Sequence, residues 1–369
     1  MIHPFYQKPA RKAAPDYFTD EQYQKVRTVH ASIPGYAPTP LHALQVLAHS
    51  IGIESLYVKD ESFRFGLNAF KALGVSVALH LYLESHPLPS LLVSATDGNH
   101  GRAVAWQARL LGVDCVIFMP EGSSSARVRA IEEEGAHVMV VEAGYDDAVR
   151  MAHTYAMKHR GLLVQDTALP GVSEEIPMHI VLGYSTMARE ALEQMSPIKP
   201  THVFLQAGVG SMAAGVASFL LHTLRQSPPK LILMEAAPLA SIALSAKEGA
   251  WQRTPDAYTL MAGLNCAEPN RRILPLLLDA FDAFFPLEDD HTVRGIRRLA
   301  HPLGDDPRIV SGESGAVGIG FLEALLSDPN WQEEKKRLAL DENSTVLLFS
   351  TEGDTDPESY QKTIQGDML

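Results

Sequence analysis

Between residues 91 and 165 the chain alternates short apolar runs with amphipathic stretches of helical length. Residues 91–94, 115–118, 137–141 and 162–165 read as strands. Residues 103–111, 125–134 and about 145–158 read as the helices between them. Strand–helix alternation of this kind predicts parallel sheet covered by helices. A second series follows, with strands predicted at 202–206, 231–234 and 345–349; the first of these leads into a glycine-rich turn and a helix. Together the two series predict an α/β fold of two lobes, mostly parallel sheets covered by helices, with a ligand in the cleft between them. In such sheets ligands sit beyond the carboxyl ends of strands. Residues 1–85 and 195–369 are expected to form the larger domain and 86–194 the smaller. The first 40 or so residues are polar and aromatic with several prolines, and are expected to wrap a surface or join an interface. The tail after about residue 353 is polar and expected to be loosely ordered. No internal repeat or low-complexity tract is present.

Composition narrows this picture. The 369 residues suit two α/β lobes, and a hydrophobic fraction of 46% suffices for a sizeable core. A formal net charge of −13 argues against binding nucleic acid through a general basic surface. Cys115 and Cys266 are the only cysteines, so there is no disulfide framework. The N-terminus lacks an apolar signal core, and no apolar run reaches the ~20 residues that span a bilayer. The expected location is the cytoplasm. The 15 histidines are scattered, with no His-Glu-x-x-His or Cys-x-x-Cys spacing, so no metal site is expected. A monovalent cation near a phosphate loop stays open.

Three segments carry the candidate chemistry. Lys71 follows an aromatic residue, Phe70, and precedes an apolar stretch running to Leu83. A lysine entering a helix and shielded from water can lose its proton and form a Schiff base with an aldehyde. The second segment is Ser94-Ala95-Thr96-Asp97-Gly98-Asn99-His100-Gly101-Arg102, between a strand and a helix. Asn99 can donate to a ring hydroxyl or a carboxylate. Asp97 is either a helix N-cap or a carboxylate set beside a substrate, and His100 is expected to pack under the loop. The third is Gly208-Val209-Gly210-Ser211-Met212, after Gln206-Ala207 and at a helix start. Its small residues let the backbone approach an anion, and its N–H groups can hold a phosphate. It is not a Walker loop, and its glycine spacing is wrong for a dinucleotide, so a monophosphate on a smaller cofactor fits better.

In this order, the three segments resemble the fold-type-II enzymes of pyridoxal 5′-phosphate. Further matches are Thr39-Pro40-Leu41, Lys59-Asp60-Glu61-Ser62, Gly312-Glu313-Ser314-Gly315-Ala316, and a hydroxyl residue after the last strand. Within that group the chain resembles the 2,3-diaminopropionate ammonia-lyase family. The residues that carry this are Thr96-Asp97-Gly98-Asn99-His100-Gly101-Arg102, Phe63 to Lys71, Val164-Gln165-Asp166-Thr167, Met261 to Cys266 and Ser350 to Asp354. The one departure is Leu169, where an aromatic residue is expected.

The resemblance implies conversion of 2,3-diaminopropionate to pyruvate and two ammonia, with Lys71 holding pyridoxal 5′-phosphate. It implies use of both isomers, whose α-hydrogens lie on opposite faces of a planar adduct. Lys71 would then serve the L isomer and Asp97 the D isomer. Asp166 is either a partner for the β-ammonium group or a strand-end turn residue. Asn99 and the Gly208–Met212 segment are the expected cofactor contacts. Phe70 packs near the cofactor ring or is simple core. Ser350 or Thr351 meets the pyridine nitrogen; Ser350 is the first choice. A homodimer is expected from the resemblance alone. The nearest rival activity is a serine or threonine dehydratase, disfavoured because Asp97 would crowd a neutral hydroxyl substrate. A sulfhydrylase of the cysteine synthase type is disfavoured for the same reason. A non-catalytic sensor that kept the fold is disfavoured by intact Lys71, Asn99, Gly208 and Gly210.

Overall fold

The computed structural model describes residues 6–7, 17–96 and 98–366. Two sheets organise it. The larger has the order β1(Tyr6–Gln7), β10(Ala283–Leu287), β9(Lys230–Ala236), β8(His202–Gln206), β11(Thr345–Ser350), β3(Ser55–Asp60), β2(Leu41–Ala43). Its five inner strands run parallel, and only the edges β1 and β2 are antiparallel. The smaller sheet is wholly parallel, with the order β6(His137–Val141), β5(Asp114–Pro120), β4(Leu91–Ala95), β7(Leu162–Leu163). The small-sheet strands are contiguous in sequence, whereas the large sheet draws strands from both sides of them. The burial pattern explains the arrangement: β8 and β11 are buried along their whole length, which only a sheet covered on both faces allows.

The two-lobed parallel α/β fold expected from the sequence is therefore present. The strands at 137–141 and 202–206 fall where their patterns put them, the one expected at 162–165 shortens to Leu162–Leu163, and the other four lengthen. The tail after 353 is a correction. It forms a helix, Pro357–Gln365, capped by the Asp356 side chain, with Tyr360 and Thr363 buried. The Thr363 carbonyl accepts from Arg297 Nε at 2.8 Å, so the tail is seated on the Asp289–Ala300 helix. In the expected N-terminal wrap, residues 1–5 and 8–16 lie outside the described residues. Asp20–Ser32 is a helix with a Thr19 capping box, packed by Tyr23, Val26, Val29 and His30.

One apolar core runs beneath both lobes, joining Leu92 and Ile117 of the small sheet to Leu205 and Phe349 of the large one. Its centre is the Ala72–Leu83 helix, in which residues 72–79 are all buried. That helix meets the Glu175–Gly183 helix almost backbone to backbone. A Cβ on Gly183 would come 2.5 Å from the Leu73 carbonyl, and one on Gly74 would come 2.7 Å from the Tyr184 ring. A Cβ on Gly215, in the Ser211–Thr223 helix, would collide with the Val181 carbonyl. The three helices close to this distance only because these positions carry no side chain.

A second device holds the segment before Lys71. Arg64 and Lys59 are buried together with Glu61 and Glu190. Arg64 Nε donates to Glu61 at 2.9 Å and its Nη2 to Glu190 at 2.8 Å; Lys59 Nζ reaches Glu190 at 2.7 Å. Thr39, of the Thr-Pro-Leu motif, donates its hydroxyl to Glu61 at 2.7 Å. Burial alone would raise the Glu190 pKa, but Arg64 and Lys59 hold it down at about 2. With two cations and two carboxylates, the cluster balances its own charge. Replacing Glu190 by Gln is expected to cost about 3–5 kcal/mol, because it strands buried positive charge. Urea unfolding measures this, and a loss below about 1 kcal/mol would show that the cluster does not depend on the Glu190 charge.

Candidate active site

Lys71 is delivered by a turn that makes one isolated bridge, Ala69 to Glu352. Phe70 N donates to the Thr351 carbonyl at 3.1 Å, and Gly353 N donates to the Asn68 carbonyl at 3.0 Å. Asn68 adopts φ +59, and its amide reaches Asp354 at 3.2 Å. The segment thus lies along the chain leaving β11, and Lys71 turns straight into the Ala72–Leu83 helix. Its Nζ points into a cleft of about 790 Å³ between the lobes. There it pairs with Asp166 Oδ2 at 2.6 Å. Nζ also sits 5.2 Å from the centre of the Phe70 ring and 5.9 Å from that of Tyr184. Burial works to lower the lysine pKa, but Asp166 outweighs it and holds the amine above the ordinary lysine range. Conversely, burial works to raise Asp166, and Lys71 and His100 hold it below the ordinary carboxylate range. The free pair is an ammonium and a carboxylate. Asp166 Oδ1, also buried, has no partner among the described residues.

The glycine-rich turn lies across the cleft, where β8 gives way to the Ser211–Thr223 helix. Gly210 adopts φ +96, which suits glycine. The helix start leaves its first N–H groups without intrahelical acceptors and carries the positive end of the helix dipole. Gly208, Val209, Gly210, Ser211 and Met212 all line the cleft. Ser211 Oγ donates to the Asp166 carbonyl at 2.5 Å. The wholly buried Asn270 donates to that carbonyl at 3.1 Å, and its own N–H reaches the Val209 carbonyl at 3.0 Å. The turn and the carboxylate that faces Lys71 are therefore tied to each other.

On the small-lobe side, Thr96 Oγ1 accepts from Gly98 N at 2.9 Å, and Asn99 opens the next helix. Asn99 lines the cleft and donates to Glu352, whose other oxygen accepts from Ser314 N at 2.9 Å. Asp97 lies outside the described residues. His100 is buried under the loop, with Nε2 2.9 Å from the Val164 carbonyl. Phe70 packs on Tyr184, with ring centres 4.8 Å apart, and also lines the cleft.

The structure separates the two hydroxyls after β11. Ser350, the first choice from sequence, is buried away from the cleft and donates to Ser311 Oγ at 2.8 Å. Thr351 lines the cleft. Gln206 Nε2 donates to Thr351 Oγ1 at 3.1 Å, leaving the threonine hydroxyl its own proton to give. Gln206 itself is fixed by the Phe349 and Ser314 carbonyls. Sequence reasoning gave no role to Arg127, Tyr145, Gln206, Cys266, Asn270 or Glu352. Gln206 and Glu352 stood inside motifs already singled out. Arg127 and Tyr145 come from helices whose own pattern gives no sign of a cleft.

Thr96 and Asn99, Asp166, Gly208 to Met212, and Thr351 and Glu352 all lie just beyond the carboxyl ends of strands, drawn from both sheets. An amine, a helix start able to hold a phosphate, a hydroxyl with a free proton and an amide converge on one space. That donor set fits pyridoxal 5′-phosphate. Residues 33–349 match the family described as pyridoxal-phosphate dependent enzyme, and the chain belongs to that family. It is 42% identical over 367 residues to the diaminopropionate ammonia-lyase of Escherichia coli K12, covering 94% of this chain and 92% of the relative. The crystal structure of the Escherichia coli enzyme in complex with an aminoacrylate-PLP azomethine reaction intermediate superposes with a TM-score of 0.91 at 40% identity, covering 99% and 97% of the two chains. Its complex with D-serine gives 0.90 at 38%, covering 100% and 99%. The resemblance drawn from the motifs is borne out across nearly the whole chain.

The geometry generates a test of the two hydroxyls. Thr351→Val is expected to lower kcat about 10-fold or more, the worth of one hydrogen bond to a reacting system, and to shift the absorbance of the bound cofactor. Ser350→Ala should change kcat less than about threefold. Steady-state kinetics and visible spectra of the two variants, compared with the parent, decide between them.

Proposed function

We propose that this chain is a pyridoxal 5′-phosphate-dependent lyase that converts D- and L-2,3-diaminopropionate, with one water, to pyruvate and two ammonia. The observation that carries this reading is Asp166. It is a buried carboxylate with one oxygen on Lys71 and the other without a partner among the described residues. A substrate bearing a second ammonium group meets that need, whereas the neutral hydroxyl of serine or threonine does not.

When bound, pyridoxal 5′-phosphate supplies an electron sink for the pair left at Cα. The protein supplies the rest. The N–H groups of Gly208 to Met212 hold the phosphate, and Asn99 donates to the ring hydroxyl. Thr351 donates a hydrogen bond to the ring nitrogen without transferring a full proton, a pairing that favours elimination over transamination. Lys71 takes the α-proton of the L isomer, and Asp166 beside it stabilises the ammonium that results. Asp97 takes the α-proton of the D isomer from the opposite face. Asp166 holds the β-ammonium group as it leaves. The likeness to the Escherichia coli enzyme, whose complexes contain an aminoacrylate-PLP species and D-serine, supports the elimination reaction in this reading.

The working form is a cytoplasmic homodimer in this reading, and sedimentation of the pure protein checks the oligomer. Among the described residues no helix is long and apolar enough to cross a membrane.

Pyruvate release from D- and L-2,3-diaminopropionate, with L-serine and L-threonine alongside, tests the activity. Strong release from both diaminopropionate isomers is expected; release from serine or threonine alone would make the protein a dehydratase. Lys71→Ala should abolish turnover of both isomers. Asp97→Asn should cost the D isomer at least ~100-fold and the L isomer far less, the scale of a lost general base. Equal losses on both isomers would sink the two-face assignment.

A further inference from the structure

Tyr184 is a buried titratable group that the reaction scheme leaves unused. It is the one residue between the Glu175–Gly183 and Ser185–Met195 helices, and it is wholly buried. Glycines clear the space for it. A Cβ on Gly74 would come 2.7 Å from its ring, and one on Gly215 would come 3.0 Å from its Cβ. Phe70 covers another side, the two ring planes inclined at 55°. A phenylalanine would satisfy this packing. The hydroxyl is an added cost: its oxygen meets no hydrogen-bond partner among the described residues, and a buried hydroxyl without one destabilises a fold. Lys71 lies against the same ring, with Nζ 5.9 Å from its centre. Burial pushes the hydroxyl above the ordinary tyrosine range; the Lys71 ammonium pulls against this, and the Asp166 carboxylate adds to it. The hydroxyl therefore keeps its proton and stands beside the reactive amine as a neutral dipole.

Asp166 faces two cations in the proposed reaction. Lys71 Nζ holds Oδ2 at 2.6 Å, and the β-ammonium group of the substrate takes Oδ1. One carboxylate does not hold two buried ammonium groups, and burial then favours the neutral amine, the form in which Lys71 can act as a base. That amine has lost the charge that anchored it, yet its lone pair must aim at Cα. We propose that Tyr184 is a positioning residue for Lys71: its hydroxyl accepts a hydrogen bond from Nζ while the substrate occupies Asp166, and so directs the lone pair at the α-hydrogen of the L isomer. In sum, the Cα–H bond breaks and an N–H bond forms on Nζ. The released pair becomes the second Cα–Cβ bond, and ammonia departs with the pair of the Cβ–N bond. Tyr184 gains and loses no proton. Neutrality is what fits it for this place, because a second carboxylate would hold the amine as an ammonium, and an alkyl group would leave it free to turn. The inference rests on the reading of Lys71 as the base for the L isomer, and adds the group that aims it.

Tyr184→Phe removes the hydroxyl and keeps the ring, and the cofactor-loaded variant is compared with the parent. Its midpoint in urea should stay at or above the parent's, because an unpartnered polar group has gone. For L-2,3-diaminopropionate kcat should fall about tenfold, the worth of one hydrogen bond to a reacting group. With the α-deuterated L isomer, the variant's kcat should carry a full primary isotope effect, since the proton step has become the slow one. For the D isomer, whose proton Asp97 takes, kcat should change less than about threefold. Equal losses on both isomers, or an isotope effect near unity on the L isomer, would overturn the proposal. A variant that unfolds earlier or fails to hold the cofactor overturns it as well, because the hydroxyl is then part of the packing. Exchange of the α-hydrogen of L-2,3-diaminopropionate with heavy water, followed by NMR, separates this inference from the reaction it rests on, since exchange needs no elimination. The variant should exchange at least about fivefold more slowly than the parent. A parent that exchanges but releases no pyruvate defeats the elimination reading alone, and Tyr184 then stands or falls on that rate difference. A parent that does neither defeats both.

Discussion

The Lys71–Asp166 ion pair is the interaction around which the rest is arranged. Its two members come from different lobes, one at the head of a helix buried in the shared core and the other just beyond a strand of the small sheet. A buried ion pair is favourable only when its geometry is good, since two charges have left water to make it. The lobes must therefore meet in one register. Ser211 and Asn270 fix the backbone of Asp166 against the glycine-rich turn, and Asn99 reaches Glu352 from the other side. What reads locally as a set of separate hydrogen bonds is collectively a definition of how two sheets face each other.

A second group of charges serves the same end from a distance. The Arg64, Glu61, Lys59 and Glu190 cluster touches none of the cleft residues. It holds the turn that follows β3, in which Phe65 takes a positive φ, with Asn68 doing the same just beyond. A segment bent in this way needs an anchor on the side away from the chemistry, and the cluster provides one. The Thr-Pro-Leu motif near residue 39 has its physical meaning there: its threonine hydroxyl bonds the buried Glu61 carboxylate.

The sequence was most readable where a single element carries both its own pattern and its own chemistry. β8 with the glycine-rich turn, β4 with the Asn99 loop, and Phe70-Lys71 before an apolar helix each state their role within about ten residues. Edge strands such as β2 are short and only partly buried, so alternation has little length in which to show. Ser350 and Thr351 are adjacent hydroxyls at a strand end, where one side chain must face the core and the next the cleft. The parity is set by how β11 is seated in its sheet, which composition does not reveal. Arg127 and Tyr145 are read as ordinary helix residues, because what makes them cleft residues is the approach of the other lobe. The tail looked unstructured because its helix is amphipathic and short, and its apolar face depends on a partner helix distant in sequence.

The close meeting of the helices behind Lys71 has a consequence for how this protein can change. Replacing helical glycine by alanine commonly stabilises a protein by stiffening the unfolded chain. At Gly74, Gly183 and Gly215 that route is closed, because the new methyl group would enter space held by a carbonyl or an aromatic ring. Drift at these positions cannot be absorbed by side-chain adjustment; it must move a helix, which at Gly74 and Gly183 carries the reactive amine at its head and at Gly215 opens on the glycine-rich turn. Three residues with no side chain and no contact with substrate thus act as a ruler for the cleft. A homologue bearing a larger residue at one of them would be expected to have a cleft of different width.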